Sequence, residues 1–190
     1  MEHKEAIQQG EIVVLLQDEC HLLWGDCCGM VWGKRNQAIE VPMTNARQRQ
    51  TYYGAVNILT KKLHIKDFDK GDSRNTVAYV QYLQETYPGK KIWLLWDNAS
   101  YHRSAMMQDF LAHANQNLEE DAWQILCLPF APHAPEQNPI EDLWLKGKNF
   151  LRKNFALNKT FSSVKQCFVD FLTSRQFDSH KFDWYFPQII

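Results

Sequence analysis

Two runs of this chain, Ile12-Val13-Val14-Leu15-Leu16 and Ile92-Trp93-Leu94-Leu95-Trp96, are apolar at every position. Each is short, bounded by polar residues and rich in β-formers, so each reads as a strand buried on both faces. Such strands need cover on both sides, which calls for one sheet with helices on its two faces. Trp123 to Leu128 is a third apolar strand. Shorter strands are expected at Gly29–Gly33 and Ala38–Val41, and Tyr52–Leu59 is rich in β-branched and aromatic residues.

After the turn-like Asp69-Lys70-Gly71-Asp72-Ser73 the period changes. Val77, Val80, Leu83 and Tyr87 recur at helical spacing, and Pro88-Gly89 ends the pattern. Met106-Met107, Phe110-Leu111 and Ala114 mark a second helix, and Asn138 to about Asn154 a third, with Ile140, Leu143, Trp144, Gly147 and Leu151 on one stripe. A last helix is expected around Val164 to Leu172. The order, strands first and then alternating helices and strands, predicts an α/β fold with a mixed sheet of about five strands. The 190 residues fit one domain. Its divisions are a short extension at 1–11, a main domain at 12–158, and a helical tail at 159–190 packed on the same domain.

Three acids sit on these elements. Asp18 lies where the first apolar run gives way to polar residues, with Glu19 beside it, and Asp97 directly follows Trp96. Glu141 stands one turn inside a helix opened by Asn138-Pro139. Each has an ordinary explanation. Asp18 suits a strand end that must reach solvent. Asp97-Asn98 is turn chemistry. Glu141 is placed to complete a capping box with Asn138. Asp142 could serve the helix dipole and pair with Lys146 one turn on. Together they suggest more, because ligands of α/β sheets gather at the carboxyl ends of strands. Phosphodiester hydrolysis is helped by two divalent ions about 3.5–4 Å apart, and such hard cations take carboxylate oxygens.

Other classes recede. No apolar run approaches the roughly 18–20 residues that span a bilayer, and the polar Met1-Glu2-His3-Lys4-Glu5-Ala6 is no signal peptide. A cytoplasmic protein without membrane partners is expected. The five cysteines lack paired zinc spacing and read as reduced, partly buried thiols. A net charge of −1 argues against binding dominated by nonspecific nucleic-acid contacts. Yet from Leu143 to Val169 there are six basic residues and no acids.

Asp18-Glu19 after a strand, Trp96-Asp97-Asn98-Ala99-Ser100-Tyr101-His102, and the approach Leu128-Pro129-Phe130-Ala131-Pro132 leading to Asn138-Pro139-Ile140-Glu141-Asp142-Leu143-Trp144 resemble the DDE transposases of the mariner-like superfamily, especially its bacterial insertion-sequence members. The resemblance covers roughly Ile12 to Phe155. It implies a ribonuclease H-like fold in which Asp18, Asp97 and Glu141 form the catalytic triad and hold two Mg²⁺ ions, for which Mn²⁺ may substitute. Water then cleaves the phosphodiester at a transposon end, and the freed 3′-hydroxyl attacks target DNA. The partner is double-stranded DNA, met at the bacterial nucleoid, and the resemblance leaves a homodimer open. Asn98 and His102 match polar positions that orient the second acid or touch DNA. Lys148 and Arg152 share a helix face with Glu141 and are candidates for phosphate contact.

The chain departs from the family pattern in three ways. Asp97 and Glu141 are 44 positions apart (141 − 97), a surplus that falls in the polar stretch from Asn115 to Asp121. His133-Ala134 replaces the family's frequent Tyr-Ser pair. About ten residues precede the first strand, so helix-turn-helix modules are expected on another segment or chain. Without them, weak DNA affinity is expected, since affinity follows the number of phosphate contacts. A non-catalytic interaction module and a nuclease of RNA–DNA hybrids are the competing readings.

Overall fold

The structure is a computed structural model that describes residues 3–27, 32–37, 47–131, 137–155, 159–177 and 179–185. Its centre is a five-stranded sheet of β1 (Ile12–Leu23), β2 (Arg49–Asn57), β3 (Leu63–Phe68), β4 (Lys91–Trp96) and β5 (Ile125–Pro129), in the order β3-β2-β1-β4-β5. The hairpin strands β1, β2 and β3 are antiparallel, whereas β4 and β5 run parallel to β1. The sheet is mixed, as the sequence predicts.

Among the described residues, five α-helices cover it: α1 (Lys4–Gln8), α2 (Ser73–Thr86), α3 (Ala105–Ala114), α4 (Pro139–Lys153) and α5 (Phe161–Thr173). Alternation along the strands divides the core. Val13, Leu15, Tyr53, Ala55, Ile92, Leu94 and Trp96 pack with Tyr79, Val80 and Leu83 of α2 and Met107 of α3. Leu16, Cys20, Leu22, Tyr52 and Val56 pack on the other face with Ile140, Leu143, Trp144, Val164 and Phe168 of α4 and α5. α1 adds Ile7 to a small cluster with Ile12, Val14 and Ile58. The starts of α2 to α5 are capped by side chains, whereas α1 has no side-chain cap. Asp72 accepts from Asn75 N–H and Ser104 from Met107 N–H, while Thr160 and Ser163 form a capping box. α4 and α5 approach closely because Gly147 has no Cβ; one added there would stand 2.6 Å from Phe168 Cε2.

Two expectations need correction, and one strand, β3, was not anticipated. β1 does not end near Asp18 but continues to Leu23. Its pairing with β4 stops at Leu16, yet pairing with β2 carries on from Asp18–Gly54 to Leu23–Arg49. The strand thus loses one neighbour and turns from uniformly apolar to alternating, which resembles an end in the sequence. β3 carries no apolar run, because only Leu63 and His64 of this edge strand are buried. Of the strand expected at 29–33, Trp32 and Gly33 belong to no strand, and residues 29–31 lie outside the described residues, as does the strand expected at 38–41. The stretch after α3 is also tighter than a plain loop. Asn115, buried, donates to Ile125 O and accepts from Gln124 and Ile125 N–H, fastening α3 to β5.

Candidate active site

Parallel pairing of β1 with β4 places the first two acids side by side. Two residues beyond the last paired positions, Leu16 and Leu95, the chain reaches Asp18 on β1 and Asp97 at the exit of β4. The third comes from α4, whose start is fixed to β1. Asn138 Nδ2 donates to Gln17 O at 3.2 Å while its Oδ1 accepts from Ile140 N–H at 3.2 Å. One residue therefore caps the helix and ties it to the backbone beside Asp18. With Ile140, Leu143 and Trp144 buried, Glu141 falls on the exposed face.

Asp18 is partly buried and its Oδ2 accepts from Trp144 Nε1 at 3.2 Å. Withdrawal from water, reinforced by the charges of Glu19, Glu141 and Asp97, pushes its carboxyl up to about 8. Glu19 is the largest of these charges, and Glu141 and Asp97 add to it. Asp97 behaves oppositely. Its Oδ1 accepts from Ala99 N–H at 2.9 Å and from His102 Nδ1 at 3.1 Å. The bond from His102, aided by the Ala99 N–H against partial burial, holds it below the usual carboxylate range.

The donor chemistry fits a hard divalent cation, since carboxylates that repel one another are stabilised by a shared positive charge. Among the described residues, no group of three His, Cys, Asp or Glu side chains is gathered tightly enough to enclose an ion. The acids are electrostatic neighbours, not a closed ligand shell.

Asp142, next to Glu141, is engaged elsewhere. Ser179 Oγ donates to its Oδ2 at 2.7 Å and Lys181 Nζ lies 3.0 Å from its Oδ1, so its bonds go to the C-terminal segment. Some burial notwithstanding, those donors hold its carboxyl below the usual range.

Asn98 is exposed, with Nδ2 3.4 Å from Phe130 O, and links the exits of β4 and β5. His102 does not fit the expectation of a DNA contact. Its side chain is 1% exposed and turned inward to Asp97 and Glu19. Lys148 and Arg152 lie partly exposed on α4, two and three turns beyond Glu141, with the exposed Leu145 between. His133-Ala134 lies outside the described residues.

Sequence reasoning passed over Trp144 and Gly54. Trp144 looks like one more member of an apolar stripe, but its indole N–H faces Asp18. Gly54, paired with Asp18, makes room for the ring; a Cβ there would stand 2.5 Å from Trp144 Cζ2. Gly54→Ala is expected to destabilise by about 1–3 kcal/mol through overpacking. Urea unfolding measures it, and an unchanged midpoint would contradict this account of the glycine.

The family model described as DDE superfamily endonuclease matches residues 13–165. No curated protein matches the chain. Among solved structures, the Mos1 transposase paired-end complex with left transposon end aligns with a TM-score of 0.61 at 14% identity, covering 99% of this chain and 55% of that one. The mariner Mos1 paired end complex with Mg gives 0.59 at 12% identity, covering 93% and 53%. The catalytic core domain of BIV integrase gives 0.50 at 11%, covering 92% and 94%. The fold is thus ribonuclease H-like, as in transposase and integrase catalytic cores. The chain spans about half the length of the transposase chains it matches.

Proposed function

Because the chain belongs to the DDE superfamily endonuclease family, we propose that it is the catalytic domain of a DNA transposase, with Asp18, Asp97 and Glu141 as its metal-binding acids. The observation that carries this reading is geometric: Asp18 and Asp97 stand two residues beyond the last paired positions of the parallel strands β1 and β4, and Asn138 ties the start of α4, one turn before Glu141, to Gln17 O beside Asp18. The raised carboxyl of Asp18, due to burial and then to the charges of Glu19, Glu141 and Asp97, agrees with it.

In this reading Asp18 is a ligand held from behind by Trp144, Asp97 a ligand from the exit of β4, and Glu141 a ligand from the first turn of α4. Bound Mg²⁺, or Mn²⁺ in its place, would activate the attacking oxygen and neutralise charge on the leaving one. The adjacent strands β1 and β4 and the first turn of α4 would orient the three carboxylates toward one phosphodiester. Asn98, Lys148 and Arg152 lie where DNA phosphates would approach, and Arg152 is steadied by Asn149 Oδ1 at 2.9 Å. The DNA is the transposon end and then the target, reached by strand transfer from a freed 3′-hydroxyl. Sequence-reading contacts would come from a further segment or another chain, including a second copy. The setting is the bacterial nucleoid; no described helix is long and apolar enough to cross a membrane.

The test is nicking of DNA carrying the element's ends, in Mg²⁺ or Mn²⁺, with the DNA-binding region supplied. Asp97→Ala is expected to lose nicking by about 10³-fold, since each tenfold is about 1.4 kcal/mol and an ion contributes several. Equal nicking by wild type and Asp97→Ala would overturn the assignment. A folded protein that takes up no Mn²⁺ in calorimetry would point to an interaction module instead.

A further inference from the structure

Asp18 and Glu19 are adjacent in sequence but face opposite sides of the sheet, because side chains alternate along a strand. Asp18 faces Trp144 of α4, whereas Glu19 points toward the α2 side, where both its oxygens are engaged. Gln17 Nε2 donates to Oε1 at 3.0 Å, His102 Nε2 lies 3.3 Å from the same oxygen, and Tyr101 O–H donates to Oε2 at 2.9 Å. The Glu19 side chain is 6% exposed. It is placed as an anchor, not as a ligand.

His102 completes the connection. Its Nδ1 lies 3.1 Å from Asp97 Oδ1 and 3.0 Å from Asp97 O, while its Nε2 faces Glu19. Every polar atom around the ring is an acceptor, so both nitrogens are used as donors. The ring is stacked on Trp96, centroids 4.2 Å apart and planes 5° from parallel, and Tyr101 meets it edge-on at 4.7 Å. His102 thus cannot swing away without losing a stack and bonds to both acids. On the far side, Asp97 Oδ1 is occupied by Ala99 N–H and His102 while the side chain is 58% exposed, so Oδ2 is the oxygen left for a cation.

We propose that Glu19 and His102 are positioning residues for Asp97: from β1 they clamp the turn after β4 and fix which carboxylate oxygen is presented to the cation. This rests on the reading of Asp97 as a metal ligand. Stability alone is a weak reason for the arrangement, because a buried acid–base pair typically does no better than well-packed apolar residues of the same volume. Its location directly behind Asp97 supplies the functional reason. Outer partners of this kind typically change metal affinity by about 10–100-fold when removed.

The test is Mn²⁺ binding to the intact chain by calorimetry at fixed pH, with circular dichroism and thermal melting as controls of folding. His102→Gln and Glu19→Gln are expected to fold and to bind Mn²⁺ about 10–100-fold more weakly. In an Asp97→Ala background the His102→Gln effect is expected to vanish, because the histidine acts through Asp97. Tyr101→Phe, which removes one donor to Glu19, is expected to give a smaller loss in the same direction. If Asp97→Ala weakens Mn²⁺ binding while His102→Gln and Glu19→Gln keep wild-type affinity, the positioning role falls and the functional reading stands. An undiminished His102→Gln effect without Asp97 also overturns it, as does loss of the fold in both variants with wild-type binding by Tyr101→Phe. If Asp97→Ala itself binds like wild type, the functional reading falls and the positioning role with it.

Discussion

Asp18→Asn is expected to stabilise the metal-free protein at high pH while removing its tight binding of Mn²⁺. The folded carboxyl is raised to about 8, against an ordinary value of about 4. Between those values the folded state holds a proton that the unfolded state has lost. The contribution to stability is therefore fully present below about pH 4 and lost as pH rises through about 8. Asparagine is neutral throughout and keeps an oxygen to accept from Trp144 Nε1, so it escapes the loss. At pH 9 the variant's advantage is expected to be on the order of a few kcal/mol. His102, where burial is outweighed by bonds to Asp97 and Glu19 that hold it up to about 9, adds a slope of the same sign in both proteins. The difference between wild type and variant isolates Asp18. A cation reverses the sign, because binding requires the deprotonated carboxylate. Mn²⁺ is expected to raise the wild-type melting temperature more at pH 8 than at pH 6, and to leave Asp18→Asn nearly unmoved. Scanning calorimetry at the two pH values, with Mn²⁺ or a chelator, reads both effects. Parallel pH curves for the two metal-free proteins would contradict the assignment.

The second large effect separates two neighbouring acids. Glu141→Gln is expected to lower metal-dependent DNA cleavage by about 10³-fold, the equivalent of roughly 4 kcal/mol of transition-state stabilisation. Asp142→Asn is expected to leave cleavage close to wild type and to lower stability by about 1 kcal/mol, because Asp142 and its partner Lys181 are partly exposed and asparagine keeps an oxygen to accept from the buried Ser179. Cleavage rates and urea melts of the two variants give the comparison. Loss of cleavage in Asp142→Asn, with Glu141→Gln active, would exchange their roles.

Much of this site could be read from the chain, for identifiable reasons. β4 was legible because it is apolar and flanked by strands on both sides, and Asp97 because it follows directly. The start of α4 was legible because Asn138-Pro139 is a strong helix-opening signal. The full extent of β1 was hidden, since residues beyond Leu16 pair on one side only and alternate in polarity like a strand end. Trp144 was hidden by its own hydrophobicity; no pattern in α4 distinguishes a ring that fills space from one whose N–H holds a carboxylate. Glu19 and His102 are 83 positions apart (102 − 19), and their contact follows only from the parallel pairing of β1 with β4. The alternation rule alone, applied to Asp18-Glu19, would have sent the two acids to opposite faces once β1 was known to continue.

The most direct measurement is the anomalous scattering of Mn²⁺ soaked into crystals of this chain. The expected result is manganese at the meeting point of β1, β4 and α4, in two peaks about 3.5–4 Å apart, contacted by Asp18, Asp97 Oδ2 and Glu141. Manganese bound instead at Glu19 or Asp142, or absent from Asp18 in crystals that bind it elsewhere, would contradict a catalytic centre built from these three acids.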